Sequence, residues 1–139
     1  MFAAVPLLLI PILIYNAIAL GGGLLDGGLG AAGGMTEALF SLEMHSGVEW
    51  PITPGDLLIV LGLVLMFIEL LKSTSSRKVA IINHSLSMLL FIACLVEFLL
   101  LEACATSVFF ILSLMVLLDV LAGFIVTIMS AKRDMTYSD

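Results

Sequence analysis

Four apolar stretches follow one another along the chain, separated by polar or glycine-rich breaks. They cover residues 2–20, 54–71, 79–101 and 108–130. An α-helix rises ~1.5 Å per residue and needs about 20 apolar residues to cross ~30 Å of hydrocarbon. Pro6 and Pro11 interrupt the first stretch. The second is short if counted from Leu57, and reaches spanning length by running back through Pro54 with the Lys72 ammonium snorkelling to the interface. Its start is marked by Thr53-Pro54-Gly55-Asp56. The Thr oxygen caps a free amide, Pro54 has no amide to lose, and Asp56 sits against the positive helix end. The pattern predicts an all-α membrane protein with four transmembrane helices in a single domain, residues 1–139.

The connection over residues 21–53 has two parts. Residues 21–34 hold eight of the twelve glycines, and Gly28-Leu29-Gly30-Ala31-Ala32-Gly33 formally matches a dinucleotide fingerprint. That fingerprint works only between a strand and a helix of a βαβ unit, so the segment reads as a linker. Further on, Phe40, Leu42 and Met44 alternate with Ser41, Glu43 and His45, and Val48, Trp50 and Ile52 alternate with Glu49, Pro51 and Thr53. Period-two alternation about Ser46-Gly47 predicts a small β-hairpin. A 46–48 loop would set His45 opposite Glu49, Met44 opposite Trp50 and Leu42 opposite Ile52, with Pro51 at an unpaired edge position. An amphipathic helix on Met35, Ala38, Leu39 and Leu42 is the competing reading of the early part. Trp50, the lone tryptophan, suits a membrane interface. With His45 and Glu49 it marks a candidate outer-loop interface.

Composition agrees with the spans: of 139 residues, 62% are hydrophobic and 12% charged. A soluble domain carries about 25% charged residues. An ordinary soluble enzyme and a nucleic-acid binder are therefore excluded. The net charge of −6 is a topological signal. All five basic residues, Lys72, Arg77, Lys78, Lys132 and Arg133, lie after the second or fourth span, whereas Asp26, Glu37, Glu43, Glu49 and Glu102 lie in the other two connections and Asp56 at the adjoining start of the second span. The positive-inside rule then gives an N-in/C-in topology. Ala17-Ile18-Ala19 resembles a signal-peptidase site, but no Lys or Arg precedes the apolar run, so the first stretch is read as a retained span.

Ionisable residues inside a membrane are costly and mark candidate sites. Here they are Glu69, His84, Glu97 and Asp119. Measured from the cytoplasmic span ends at ~1.5 Å per residue, they lie about 3, 8, 27 and 16 Å deep. Glu69 and His84 thus share a level and form a candidate pair, with interfacial snorkelling of Glu69 as the alternative. Asp119 sits mid-span with no cation of the chain at its depth. It must be neutral, hydrogen-bonded to polar groups, or paired outside the chain. Small and polar residues recur on helical faces: Asn83, Ser87, Cys94 and Glu97; Asp119, Gly123, Thr127 and Ser130; Gly62, Met66, Glu69 and Ser73. Such stripes pack membrane helices closely, or line a polar path. His45 and His84 fall on opposite sides of the membrane, so one chain cannot ligate a haem through both. Glu69 and His84 are too few for a metal site. Ser, His and Asp occur without a motif that frames a nucleophile. Cys94 and Cys104 are ~15 Å apart along a helix and cannot bridge. No cofactor and no metal are expected.

Trp50-Pro-Ile-Thr-Pro-Gly-Asp-Leu-Leu-Ile59, Phe67-Ile-Glu-Leu-Leu-Lys72, Asn83-His-Ser-Leu-Ser-Met88, Val96-Glu-Phe98, Thr106-Ser-Val-Phe-Phe110 and Asp119-Val-Leu-Ala-Gly-Phe124 together resemble a family of small proteobacterial four-helix inner-membrane proteins with no assigned activity. The resemblance covers roughly residues 40–130 and implies a bacterial inner (plasma) membrane location. The chain is also similar in size to small multidrug-resistance transporters, but those carry their essential Glu in the first helix, where this chain has no acid. The expected function is a non-enzymatic accessory or scaffold subunit of a larger inner-membrane complex, in contact with the lipid bilayer and with other subunits or its own copies, and not with nucleic acid. The alternative is an oligomeric small-solute or proton-coupled transporter or channel that uses Asp119, Glu97, Glu69 and His84, with Asn83 and Ser87 beside them.

Overall fold

In the computed structural model, residues 5–25, 33–72 and 77–137 are described. They form α1 (Leu9–Leu25), a one-turn α2 (Gly33–Thr36), β1 (Phe40–Glu43), β2 (Glu49–Ile52), α3 (Pro54–Lys72), α4 (Arg77–Leu100), a 3-10 turn at Glu102–Cys104, and α5 (Ser107–Thr136). The fold is mostly helical, with one two-stranded antiparallel sheet. Helices α3, α4 and α5 are long and apolar enough to cross a membrane; the apolar part of α1 is shorter.

The helix boundaries have local causes. The two prolines of the first stretch lie at the start of α1. Leu9 N donates to Pro6 O at 3.2 Å in the turn that precedes it. Pro11 falls in the first helical turn, where amides have no helical acceptor. Helix α3 begins with a reciprocal cap. Asp56 N donates to Thr53 Oγ1 at 3.1 Å, and Thr53 N donates to Asp56 Oδ2 at 2.9 Å. Thr106 caps α5 in a similar way, its Oγ1 accepting from Phe109 N at 3.2 Å. At 30 residues α5 extends past the 108–130 stretch to Thr136.

Helix α5 is the centre of the bundle. Phe109, Leu112, Val116, Asp119 and Val120, at spacings of one, three or four, are buried against α3, α4 and α1. Helix α1 adds Ile12, Tyr15 and Ala19 to this core, and the turn before it adds Leu8. Two glycines permit close approach. A Cβ on Gly62 would lie 2.9 Å from Met115 Sδ, and one on Gly123 would run into the His84 ring. The helices are inverted relative to a soluble bundle. On α4 the buried stripe includes Asn83, His84 and Ser87, while Ile82, Leu89, Ile92, Leu99 and Leu100 are 48% to 77% exposed. Polar groups inside and aliphatic groups outside are what a lipid environment selects.

The hairpin forms, but two residues out of the expected register. Phe40 faces Ile52, Ser41 faces Pro51, Leu42 faces Trp50 and Glu43 faces Glu49. The cause is the turn. Gly47 has φ +81° and takes the third place of a three-residue loop 45–47, with Gly47 N donating to Met44 O at 2.8 Å and Met44 N to Val48 O at 2.9 Å. Since Met44 donates to Val48, ladder alternation leaves Ser41↔Pro51 a non-hydrogen-bonded pair, so the missing proline amide removes no ladder bond. The register shift keeps Phe40, Leu42, Trp50 and Ile52 on one face. The competing helix is confined to α2, where Met35 is buried beneath Gly55.

Replacing Thr53 by Ala removes the hydroxyl half of the α3 cap. The expected loss is about 1 kcal/mol of stability, read by denaturant unfolding of the detergent-solubilised protein. Unchanged stability would show that the box does not hold the start of α3.

Candidate functional site

The buried polar groups collect in two clusters, one toward each end of the bundle. In the first, Glu69 on α3 is fully buried near the helix end. Its Oε1 accepts from Asn83 Nδ2 of α4, and its Oε2 accepts from the Leu7 backbone amide at 2.5 Å. Lys72 Nζ lies 3.4 Å from Oε1 and donates to Val5 O at 3.3 Å. Thus Glu69 ties α3 both to α4 and to the segment leading into α1.

The expected Glu69–His84 pair does not form. Adjacent residues of a helix point ~100° apart. Asn83 therefore faces α3, and His84 faces α5. Asp119 of α5, fully buried, bonds through Oδ2 to Ser87 Oγ at 2.5 Å, and its Oδ1 lies 3.8 Å from His84 Nδ1. Asp119 so finds its polar partners within the chain. The depth ruler set His84 and Asp119 apart because it counts backbone rise only. Ser87 is the residue level with Asp119, and the imidazole reaches the rest of the way from one turn below, seated on Gly123.

At the opposite end, α1 joins α4 and α5. Asn16 Nδ2 donates to Glu97 Oε2 at 3.0 Å, and Cys104 Sγ lies 3.6 Å from Asn16 Oδ1. Tyr15 OH donates to Ala103 O at 2.9 Å and shares a hydrogen bond with Thr106 Oγ1. Its ring meets Phe109 with centroids 4.9 Å apart. Sequence reasoning passed over Tyr15, Asn16 and Thr106. The signal was present, since Tyr15-Asn16 is the polar break inside the first apolar run. Cys94 and Cys104 are buried free thiols. Burial first, and then the nearby Glu97 carboxylate, push the Cys104 thiol pKa up.

Most of the expected polar stripes face inward. Asn83, Ser87, Cys94, Asp119, Gly123, Gly62 and Glu69 are buried, and Met66, Glu97 and Ser130 are half-buried. Thr127 is exposed, its hydroxyl turned back to Gly123 O at 2.9 Å. Ser73 lies outside the described residues. His45, Glu49 and Trp50 are exposed on the hairpin, with Glu49 directly opposite Glu43 and Trp50 opposite Leu42. They belong to a surface separate from the seam. Among the described residues no three His, Cys, Asp or Glu side chains group to hold a metal ion.

Chemically, the seam holds two carboxyl groups that are bonded to neighbouring helices, and one imidazole that is not. Neither nitrogen of His84 has a hydrogen-bond partner among the described residues, and Asp119 Oδ1 and Asn83 Oδ1 are likewise unbonded. No known protein family, no curated protein and no solved structure matches the chain.

Two outcomes follow. Gly123→Ala drives a methyl into the His84 ring and is expected to cost about 1–3 kcal/mol, more than Gly62→Ala, whose neighbours are the movable ends of Met115 and Leu112. Thermal unfolding in one detergent compares them, and equal effects would refute the tight α4–α5 contact. Cys104, with its thiol pKa raised, is expected to react with maleimide more slowly than a free cysteine at neutral pH and to accelerate as pH rises. Glu97→Gln should bring that acceleration to lower pH.

Proposed function

We propose that this protein is a four-span integral protein of the bacterial inner membrane, N-in/C-in, that serves as a non-enzymatic accessory or scaffold subunit of a larger membrane complex. Helix α1 is the shortest span, and the bonds of Tyr15, Asn16 and Leu7 dock it along the other three. The segregation of all five basic residues to the connections after α3 and α5 supports the orientation.

The observation that carries the scaffold reading is the hairpin. Phe40, Leu42, Met44, Val48 and Trp50 lie on one alternating face and are 46% to 62% exposed. A two-stranded hairpin is marginal by itself, and an open aromatic and aliphatic face is the kind of surface that anchors partners. The partner fitted to it is the apolar extracytoplasmic edge of another integral membrane protein. The seam speaks for the same reading and against the transporter alternative. Glu69, Asn83, Ser87 and Asp119 bond to one another across helices, which pins the bundle instead of leaving the acids free to cycle.

Gentle extraction followed by native mass measurement is expected to show the chain bound to a second membrane protein. Leu42→Ser with Trp50→Ser should release it while thermal unfolding of the helices is unchanged. A clean monomer, or an assembly indifferent to the hairpin, would overturn the reading. A cysteine placed at Glu49 should be labelled from outside the cell by an impermeant reagent, and one at Lys132 should not.

A further inference from the structure

The polar groups left without bonds sit beside a groove. Between α4 and α5, opposite the side on which Asn83 meets Glu69, a cavity of ≈300 Å³ is lined by Ile81, His84, Met88, Val120, Gly123 and Phe124, with Ser85 and Thr127 also on its wall. Its rim residues Ile81, Met88 and Phe124 are 46–52% exposed on the aliphatic outer surface of the bundle. The groove therefore opens sideways, toward the surface that lipid would cover. His84 is 8% exposed, and neither ring nitrogen is bonded among the described residues.

We infer that this groove is a binding site for a neutral amphiphile whose compact, oxygen-bearing head reaches the His84 imidazole and whose apolar body lies in the bilayer. The lining chooses the chemistry. Among the described residues no charged side chain stands on the wall, and the unbonded group that borders it, the His84 imidazole, answers an uncharged carbonyl or hydroxyl oxygen. A bare acyl chain would leave the imidazole as unsatisfied as before. The Phe124 ring and the Met88 thioether offer soft faces to a flat conjugated ring, while His84, with Nδ1 3.8 Å from Asp119 Oδ1 and neither nitrogen bonded among the described residues, is left to donate to, or accept from, a carbonyl or hydroxyl. The volume suits a single head of quinone size and is at the lower end of known ligand pockets. The same chemistry is offered by two classes of bilayer-soluble molecule, a quinone and a diacylglycerol. The inference requires only that the bundle lie in lipid, and it stands or falls independently of any partner at the hairpin.

The test uses the full chain in phosphatidylcholine nanodiscs, with His45→Gln making His84 the only histidine. With ¹⁵N-labelled histidine, the His84 ring signals are followed while decylubiquinone, and separately dioctanoylglycerol, is titrated in. Saturable movement with either probe is expected, and the probe that acts identifies the source. Ser85→Leu with Thr127→Leu, which fills the groove and leaves His84 in place, should abolish the movement. His84→Leu should weaken binding of radiolabelled probe roughly tenfold, the equivalent of one hydrogen bond. Because loss of the imidazole could disturb the bundle, the filled-groove variant decides. Signals that ignore both probes, or that move equally in the filled-groove variant, overturn the inference.

Discussion

A carboxyl or imidazole inside an apolar bundle has no water to turn to, and the positions of the helices here follow from that constraint. An unbonded buried polar group costs about 1–3 kcal/mol, so each buried acid must face whichever neighbouring helix carries its partner. Glu69 sets the rotation of α3 toward Asn83, and Asp119 sets that of α5 toward Ser87. Because Asn83 and Ser87 are one turn apart on α4, both demands are met by a single rotation of that helix. Gly123 then lets α5 come close enough for the His84 ring to lie against its backbone. The hydrophobic effect does not drive one aliphatic helix onto another in lipid. Three long aliphatic helices would otherwise have little reason to choose one arrangement.

The same logic explains how a short α1 is held. Its own apolar length is less than that of α3, α4 or α5, and the buried aliphatic groups Ile12 and, in the turn before it, Leu8 are ones that lipid would solvate equally well. What fixes it is a polar staple before its first turn and another at its middle: the Leu7 amide on Glu69, and Tyr15 and Asn16 on the α4–α5 connection and the Glu97 end of α4. Between the staples lies an apolar layer of Ile12, Leu58, Cys94, Leu112 and Val116. The polar bonds of α1 and the dispersion contacts thus alternate along the bundle.

How much of this was legible beforehand depends on whether the cause is local. The three long helices, the Thr53–Asp56 cap and the hairpin were all readable, because apolar run length, capping chemistry and period-two alternation act over a few residues. The hairpin register was nearly readable; it turned on placing Gly47 in the left-handed third position of the loop, and that preference is also local. The polar pairings were not. Depth along a helix can be counted, and it did bring Glu69 to the level of the Asn83–His84 pair. Which of those two neighbours turns to α3 is a rotation of ~100°, fixed only by the other helices. Tyr15 and Asn16 were missed for a related reason. Two moderately polar residues do not stop a stretch from inserting, so they left the hydropathy pattern intact while deciding where α1 sits.

The unbonded atoms complete the physical picture. Among the described residues they gather on two consecutive residues of α4, Asn83 and His84, and on Asp119, which faces His84. A deficit gathered where α4 meets both α3 and α5 has a common cause. That cause is the second role asked of α4 at this level. Its Asn83 side closes the junction with α3, and its His84 side borders the α4–α5 groove. A bundle built solely for rigidity would place an aliphatic residue at position 84, since Gly123 already provides the close approach and Asp119 already has Ser87. An imidazole there adds a desolvation cost without adding a bond among the described residues. A group that meets it from the groove would supply the missing partner.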